Sequence, residues 1–375
     1  MGQDRRGEVL CGAPGQGGSA NPVMVPAALG AGRSSDGPRI GLALGSGSAR
    51  GLAHLGVIRA IADAGLHIDC IAGTSMGALI GAIACAGKLD MLEATFAQFD
   101  RKRTLSFFDV VLPRSGLIDG AKVSELVRAH VHADLIEALP IAFAAVATDI
   151  ASGEEVVIRS GDVIEAVRAS ISVPGIFTPL RTDGRILVDG GLTNPVPVSV
   201  VRTMGADVVV AVDLNDQIVA GKNFKPFRRE APGGQGMGDA AMTRLVRNYR
   251  QTMADLKARL LARDAPAAAQ FSRWALKEDP LPNIFDVLLA SINVMETRIT
   301  KTRLALDPPD VLIQPPLGHI RFLEFGRAEE IIAIGYQSAA DALSQWLAQQ
   351  GTAPNDDSRA PAPAPAPAVG ASLSR

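Results

Sequence analysis

A serine inside a glycine-flanked pentapeptide is the residue of this sequence best suited to act as a nucleophile. Ser75 is the centre of residues 73–77 (GTSMG), which fit the pattern GxSxG and lie between two apolar runs. A serine in this context stands on a sharp turn from a strand to a helix, where Gly73 and Gly77 avoid collisions and the helix N-terminus favours negative charge. The pattern predicts attack of the Ser75 hydroxyl on a carbonyl carbon. The alternative is a glycine-rich turn with an ordinary solvated serine.

A second glycine-rich turn, residues 45–51 (GSGSARG), follows the first apolar run. Backbone N–H groups of such a turn, at the start of a helix, bind anions. A dinucleotide-binding turn would need GxGxxG, but Arg50 occupies the position of the third glycine, and Asp69 begins the second strand instead of ending it. An oxyanion hole is therefore favoured over a nucleotide site, because the serine turn follows the neighbouring strand.

A candidate general base follows in Asp189-Gly190-Gly191, after the apolar residues 185–188. A carboxylate at the carboxyl end of a strand points into the crevice that the strand ends share. Gly190 and Gly191 allow close approach of backbone or substrate. Taken alone, an aspartate at a strand end is more often a turn former. Combined with the other two turns, Asp189 is predicted to be the base.

No histidine has the position that a serine–histidine–aspartate triad requires. In such hydrolases the histidine follows the acid, and only His319 follows Asp189. The remaining histidines all precede Asp189; they are His54, His67, His130 and His132. Each histidine is predicted to be structural or solvated.

The segments that must hold these residues alternate between strand and helix patterns. The predicted strands are residues 39–44, 68–72, 141–149, 155–159, 185–188, 207–214 and 311–314. The predicted helices are residues 51–64, 76–86, 162–172, 196–204, 239–262, 283–306 and 328–349. This alternation predicts an α/β fold in which a mainly parallel sheet lies between layers of helices.

The same patterns divide the chain into five parts. They are a disordered tail (1–37), a catalytic domain (38–215), a loop and helical insertion (216–282), C-terminal helices and a strand packed on the catalytic domain (283–350), and a disordered Pro/Ala tail (351–375). The helix predicted over residues 239–262 has one apolar face. It either packs on its own domain or serves as a lid or membrane-surface helix.

Composition excludes several classes of function. The sequence is 47% hydrophobic with a formal net charge of -2, which favours a sizeable core and gives no global attraction to nucleic acid. Its three cysteines have no metal-ligand spacing and no secretory signal pattern precedes them, so we expect a cytoplasmic protein. Residues 68–87 are long enough to span a membrane, but Asp69 and four glycines favour a buried core segment.

With the three motifs in this order, the sequence resembles the patatin-like phospholipases, and in particular bacterial cytoplasmic members related to the catalytic domain of neuropathy target esterase. The resemblance implies a three-layer α/β/α fold and a serine–aspartate dyad without histidine. It implies that Ser75 is the nucleophile and Asp189 the general base. It also implies that the oxyanion donors are the amides of Gly47 and Ser48, supported in the loop by Gly45, Arg50 and Gly51.

The resemblance further implies a serine lipid acyl-hydrolase that acts on a phospholipid or lysophospholipid, without a metal or organic cofactor, with peripheral contact to a membrane. The alternative is a non-catalytic regulatory protein that binds a lipid or nucleotide on the same fold. No feature of the sequence predicts an oligomeric state. The sequence departs from the family's pattern in this loop: where the family usually has three consecutive glycines, this chain has Ser46-Gly47-Ser48. A positive φ at Ser48 would strain the backbone slightly.

Overall fold

Short runs of β-branched and small apolar residues form the strands at the centre of the molecule. The structure is a computed structural model, and it describes residues 37–99, 120–216 and 284–352. The strands are β1 (Ile40–Leu44), β2 (Cys70–Thr74), β3 (Ala142–Asp149), β4 (Glu155–Ile158), β5 (Leu180–Thr182), β6 (Arg185–Asp189), β7 (Val208–Val212) and β8 (Val311–Ile313). The α-helices are α1 (Ala53–Asp63), α2 (Met76–Cys85), α3 (Leu89–Ala97), α4 (Ala121–His130), α5 (Val163–Ser170), α6 (Val198–Thr203), α7 (Ile284–Leu306) and α8 (Ala328–Thr352). Short 3-10 helices span Ser48–Leu52, Ile136–Ala138, Gly190–Leu192 and Phe325–Arg327.

These strands form one sheet in the order β5-β6-β3-β2-β1-β7-β8, and β4 pairs with β3. Strands β3, β2, β1, β7 and β8 are parallel, whereas β4 and β6 are antiparallel to β3 and β5 is antiparallel to β6. Every residue of β1 and β2 is buried, as expected for parallel strands covered on both faces. The predicted mainly parallel sheet is confirmed.

Alternate side chains of the central strands pack against different layers of helices. Leu42 and Leu44 face the larger core, to which α1, α2 and α8 contribute. Ala43 and Ala72 face a smaller core that contains valines of α6. The predicted three-layer α/β/α arrangement is therefore confirmed.

Some elements differ from the prediction for local reasons. The helix predicted over residues 196–204 is shorter in the structure, because Val196 precedes Pro197 and a residue before proline disfavours the α conformation. The helix predicted over residues 51–64 is preceded by the 3-10 turn Ser48–Leu52. Helices α3 and α4 and the three-residue β5 have no counterpart in the predicted elements. The helix predicted over residues 239–262 and nearly all of both tails lie outside the described residues.

The apolar segment 68–87 forms β2 and α2 inside the core, as expected from its glycines and Asp69. Its two cysteines, Cys70 and Cys85, are buried free thiols. Within the described ranges, no helix is long and apolar enough to cross a membrane.

Two glycines allow the C-terminal helix α8 to lie against α1. A Cβ atom at Gly56 of α1 would lie 2.0 Å from the carbonyl oxygen of Ile332, and one at Gly335 of α8 would lie 2.2 Å from that of Ala53. Each helix therefore uses a glycine where the backbone of the other approaches. Because both obstacles are backbone atoms, a side chain at either position must separate the helices.

We predict that Gly335→Ala destabilises the protein although alanine is the better helix former. Helix propensity would favour the change by about 1 kcal/mol, but overpacking costs about 1–3 kcal/mol, and the backbone contact places this site at the upper end. Urea unfolding would measure the loss as a lower midpoint. Ala333→Leu, which enlarges an exposed residue of the same helix, is the matched control. A Gly335→Ala protein as stable as the parent would contradict the tight helix contact.

Candidate active site

The turn between β2 and α2 holds Ser75 in a strained backbone conformation. Its φ is 58° and its ψ is -122°, a region that residues other than glycine seldom adopt. A Cβ atom at Gly73 would lie 2.3 Å from the carbonyl oxygen of Gly77, and one at Gly77 would lie 2.1 Å from that of Leu44. The backbone N–H of Ser75 donates to Ser170 Oγ at 2.9 Å. Both glycines of the pentapeptide are therefore sterically required at a turn that exposes the side chain of Ser75 to the site.

Ser75 and Asp189 are in direct contact. Ser75 Oγ donates to Asp189 Oδ2 at 2.6 Å, and the N–H of Gly191 donates to Asp189 Oδ1 at 2.7 Å. Both carboxylate oxygens are thus engaged, which fixes the orientation of the side chain. A Cβ atom at Gly190 would lie 2.3 Å from the carbonyl oxygen of Val146. This glycine lets the turn after β6 lie against β3.

The strand that carries Asp189 reaches the site from a direction that the sequence argument did not foresee. The sequence predicts a strand that ends at Asp189 in a mainly parallel sheet, without the direction of that strand; β6 is antiparallel to β3 and pairs Asp189 with Ala147. The preceding residue of β3, Val146, pairs with Thr74 at the end of β2. Because β3 extends beyond β2, β6 can pair with that extension and run back, so its carboxyl end meets the carboxyl end of β2. The position of Asp189 at the strand end is as expected, but the reason is the antiparallel register.

Burial sets the acidity of Asp189. Desolvation raises the pKa of its carboxyl to about 6, although the hydrogen bonds from Ser75 and Gly191 act in the opposite direction. A carboxylate with a raised pKa is a stronger base than a solvated aspartate. At neutral pH the group is still mainly ionised and can accept a proton.

All five histidines belong to the described residues, and within them none forms a hydrogen bond with Ser75 or Asp189. His54 lies in α1, where its Nε2 is 2.8 Å from the carbonyl oxygen of Gly45. Burial lowers the pKa of His54 to about 4, so it is neutral at pH 7. His319, the only histidine after Asp189, bonds Glu330 at the half-exposed surface.

The glycine-rich turn at residues 45–51 joins β1 to the 3-10 helix beside Ser75. The amides of its first six residues divide into two groups. Those of Gly45, Ser46, Ala49 and Arg50 donate to the backbone oxygens of Val212, Pro195, Phe322 and Gly47. The amides of Gly47 and Ser48 have no acceptor within the described part of the chain. These two amides are the ones that the resemblance assigns to an oxyanion.

Ser48 adopts the left-handed conformation that the sequence analysis considered, with a φ of 49°. Its hydroxyl donates to the carbonyl oxygen of Phe322 at 2.5 Å. That bond compensates for the strain that a glycine would avoid. Gly45 and Gly51 support the turn, because a Cβ atom would lie 2.5 Å from the carbonyl oxygen of Val212 at Gly45 and 2.4 Å from Met76 Cβ at Gly51.

Arg50 is buried beneath this turn. Its guanidinium lies 3.3 Å from the carbonyl oxygen of Ile320 and 3.4 Å from Asn215 Oδ1. Burial lowers the pKa of Arg50 to about 10, opposed by the charges of Glu296 and Asp213. Arg50 therefore remains charged at neutral pH and holds the turn against the segments that contain Ile320 and Asn215.

Sequence reasoning missed Asn215 and Glu296, which adjoin the same loop. Glu296 is 8% exposed, and its Oε2 accepts hydrogen bonds from Ser46 Oγ at 3.1 Å and Asn215 Nδ2 at 3.0 Å. The available sign was helical spacing. Glu296 lies between Ile292 and Thr300 on the buried stripe of α7, where a carboxyl is unusual unless it has partners.

An apolar cavity that opens to solvent reaches Ser48 and Ser75. Leucine, valine, isoleucine and phenylalanine side chains form its walls, among them Leu79, Phe96, Val123, Ile171, Phe177 and Phe325. A chain of methylene groups would be stabilised there, because its apolar surface would leave water and contact these apolar side chains.

Comparisons with known proteins agree with this geometry. A family model described as "Patatin-like phospholipase" matches residues 42–202. An uncharacterized NTE family protein of Mycobacterium tuberculosis is 35% identical over 86% of this chain and 95% of its own length. Lysophospholipase NTE1 of Pyricularia oryzae is 28% identical over 85% of this chain and 19% of its own length. A patatin-like phospholipase domain-containing protein of Caenorhabditis elegans is 38% identical over 48% of this chain and 14% of its own length.

The match to the mycobacterial relative spans both chains almost completely, and the family model includes the serine turn, the glycine-rich turn and Asp189. The chain therefore belongs to the patatin-like phospholipase family, among its NTE-related members.

Proposed function

We propose that this protein is a serine lipid acyl-hydrolase that cleaves a carboxylic ester of a phospholipid or lysophospholipid. The observation that carries the proposal is the 2.6 Å contact between Ser75 Oγ and Asp189 Oδ2, in a site that also contains the amides of Gly47 and Ser48, which no described residue accepts from. A nucleophile, a base and oxyanion donors are the three components that acyl transfer requires.

The substrate class follows from the family and from the cavity. Membership of the patatin-like phospholipase family supports lipid hydrolysis, and one relative bears the name lysophospholipase. The cavity beside Ser75 is lined by apolar side chains, which suits an acyl chain whose ester lies at the serine. The head group would then lie towards the opening.

The mechanism uses only groups of this chain. Asp189 accepts the proton of Ser75 Oγ as that oxygen attacks the ester carbon, and the carbonyl oxygen becomes an oxyanion that accepts from the amides of Gly47 and Ser48. Each such donor contributes about 3 kcal/mol in comparable sites. The intermediate collapses as protonated Asp189 gives its proton to the departing alcohol, which leaves the acyl group on Ser75.

Deacylation repeats these steps with water. Asp189 removes a proton from a water molecule as its oxygen attacks the acyl carbon. The second oxyanion accepts hydrogen bonds from the same amides of Gly47 and Ser48. Ser75 Oγ then departs and takes the proton back from Asp189, and the fatty acid is released. Neither half of the reaction requires a histidine, because the buried carboxylate is itself the base.

We predict that Ser75→Ala and Asp189→Asn each reduce fatty-acid release by at least about a thousandfold, because each removes a component of the proton transfer. Release from lysophospholipid and from p-nitrophenyl esters would measure the loss. Thermal unfolding would confirm that both variants fold. Ser344→Ala and Asp341→Asn, on α8, are the matched controls.

A fluorophosphonate probe separates this function from the non-catalytic alternative on the same fold. Labelling at Ser75 that disappears in Ser75→Ala supports the hydrolase. A folded parent protein that neither labels nor releases fatty acid would instead support a lipid- or nucleotide-binding regulator. If His319→Ala were as inactive as Ser75→Ala, the dyad would have to be replaced by a triad.

The raised pKa of Asp189 predicts the acid limb of the pH profile. The base works as a carboxylate, so kcat/KM should fall about tenfold for each pH unit below about pH 6. A solvated aspartate would place this limb near pH 4. Fatty-acid release measured by mass spectrometry avoids the pH dependence of chromogenic products. A limb near pH 4 would contradict a buried base.

We also propose a cytoplasmic location with peripheral contact at a lipid surface, made by the side of the molecule on which the cavity opens. Leu323 lines the cavity and is 37% exposed. The membrane-surface or lid role considered for residues 239–262 stays a prediction, since that segment lies outside the described residues.

We predict that Leu323→Asp lowers flotation with phosphatidylcholine liposomes. Leu347→Asp, at a similarly exposed leucine of α8 (39% exposed), should not, and equal losses would contradict the proposed surface.

A further inference from the structure

Helix α7 contributes a buried carboxyl to the site from outside the region that the family model matches. That region ends at residue 202, whereas Glu296 lies near the middle of α7. Its neighbours one turn away in each direction, Ile292 and Thr300, are buried with it. The side chain therefore does not lie at the surface, where most glutamates are found.

The carboxyl of Glu296 contacts both the glycine-rich turn at residues 45–51 and the turn that follows Asp189. Its Oε2 accepts from Ser46, which precedes the amide of Gly47 in the glycine-rich turn, and from Asn215, which follows β7. Asn215 also donates to Ser46 Oγ at 2.9 Å, which closes a triangle of polar groups. On the other side, a Cβ atom at Gly191 would lie 2.1 Å from Glu296 Oε1. The carboxyl is thus packed between the oxyanion turn and the turn that holds Asp189.

The charges around Glu296 favour its neutral form. Asp189 faces it from the end of β6, Asp213 from the end of β7, and Arg50 from the 3-10 helix, while Lys301 of its own helix pairs with Asp216. Burial, and then the charge of Asp189, raise the pKa of Glu296 to about 8. Arg50 acts in the opposite direction, but its hydrogen bonds go to neutral oxygens. With Asp189 ionised as the base, Glu296 is therefore protonated at neutral pH.

We propose that Glu296 is a positioning residue that, as a neutral carboxylic acid, links the oxyanion turn to the turn after Asp189, and that its ionisation inactivates the site at alkaline pH. This inference rests on the proposed function. The carbonyl oxygen of a neutral acid accepts from Ser46 and Asn215 as a carboxylate does, so the link does not need the charge. A carboxylate there would instead oppose the negative charge that develops on the oxyanion.

The expected consequence is a second, alkaline limb in the pH profile. In the parent protein kcat should fall about tenfold for each pH unit above about pH 8. Glu296→Gln preserves the shape and the acceptor oxygen but cannot ionise. This variant should lose about threefold in kcat at pH 7 with KM unchanged and should lack the alkaline limb. Glu296→Ala, which removes the link, should lose a hundredfold or more in kcat, so glutamine rescues most of the function.

The controls separate a failure of this inference from a failure of the proposed function. Glu329→Gln, at an exposed position of α8, should keep both limbs. If Ser75→Ala retained turnover, the hydrolase function itself would be wrong. If Ser75→Ala is inactive but Glu296→Gln keeps the alkaline limb of the parent, Glu296 is only structural and this inference alone is overturned.

Infrared spectroscopy tests the protonation state without catalysis and without a variant that must fold. The parent protein at pH 7 should show the carbonyl stretch of a buried protonated carboxylic acid, and this band should disappear between pH 7 and pH 9.5. Asp189 contributes little there, because its pKa is about 6. A spectrum without such a band at pH 7 would overturn the proposed neutral state.

Discussion

The hydrogen bond between Ser75 and Asp189 depends on the unequal lengths of two neighbouring strands. Strand β2 ends at Thr74, opposite Val146, whereas β3 continues to Asp149. The extension provides an edge on which β6 pairs in the antiparallel direction and ends at Asp189, beside the serine turn. A shift of β6 by one residue would direct Asp189 to the other face of the sheet. The register of β6 on β3 therefore determines whether the proposed nucleophile and the proposed base meet at all.

The glycines around the site are needed mainly because two backbone segments approach each other closely there, and less because they make the chain flexible. At Gly77 and Gly190, the atom that a Cβ would meet is a backbone carbonyl oxygen of a neighbouring strand, and at Gly73 it is the carbonyl oxygen of Gly77 at the start of α2. The same holds at the distant contact of Gly56 with α8. Carbonyl groups fixed in strands and helices cannot move aside as a flexible side chain can. This explains why short glycine-containing motifs identify the site so well: each motif records one obligatory backbone contact.

The sequence predicts the local parts of the site and misses those that depend on distant pairing. The serine turn and the glycine-rich turn are recognisable because their glycines and strained φ angles belong to a few consecutive residues. The antiparallel direction of β6 is not recognisable, since it depends on the length of β3. Asn215 and Glu296 meet the turn across 169 and 250 positions of the chain. The sign that could have revealed this buried glutamate is the helical spacing of Ile292, Glu296 and Thr300.

The proposed reaction places two conflicting electrostatic demands on the site. A strong base requires that no cation lie against Asp189, because a cation would lower its pKa. An oxyanion, in contrast, is stabilised by positive charge. Backbone amides meet both demands, since they carry oriented dipoles without net charge. The buried Arg50 acts on Glu296, whereas burial and the hydrogen bonds from Ser75 and Gly191 govern the pKa of Asp189, the proposed base. A neutral Glu296 follows from the same requirement, because the dipoles of two amides are a weaker source of stabilisation than an ion and are more easily cancelled by a nearby carboxylate.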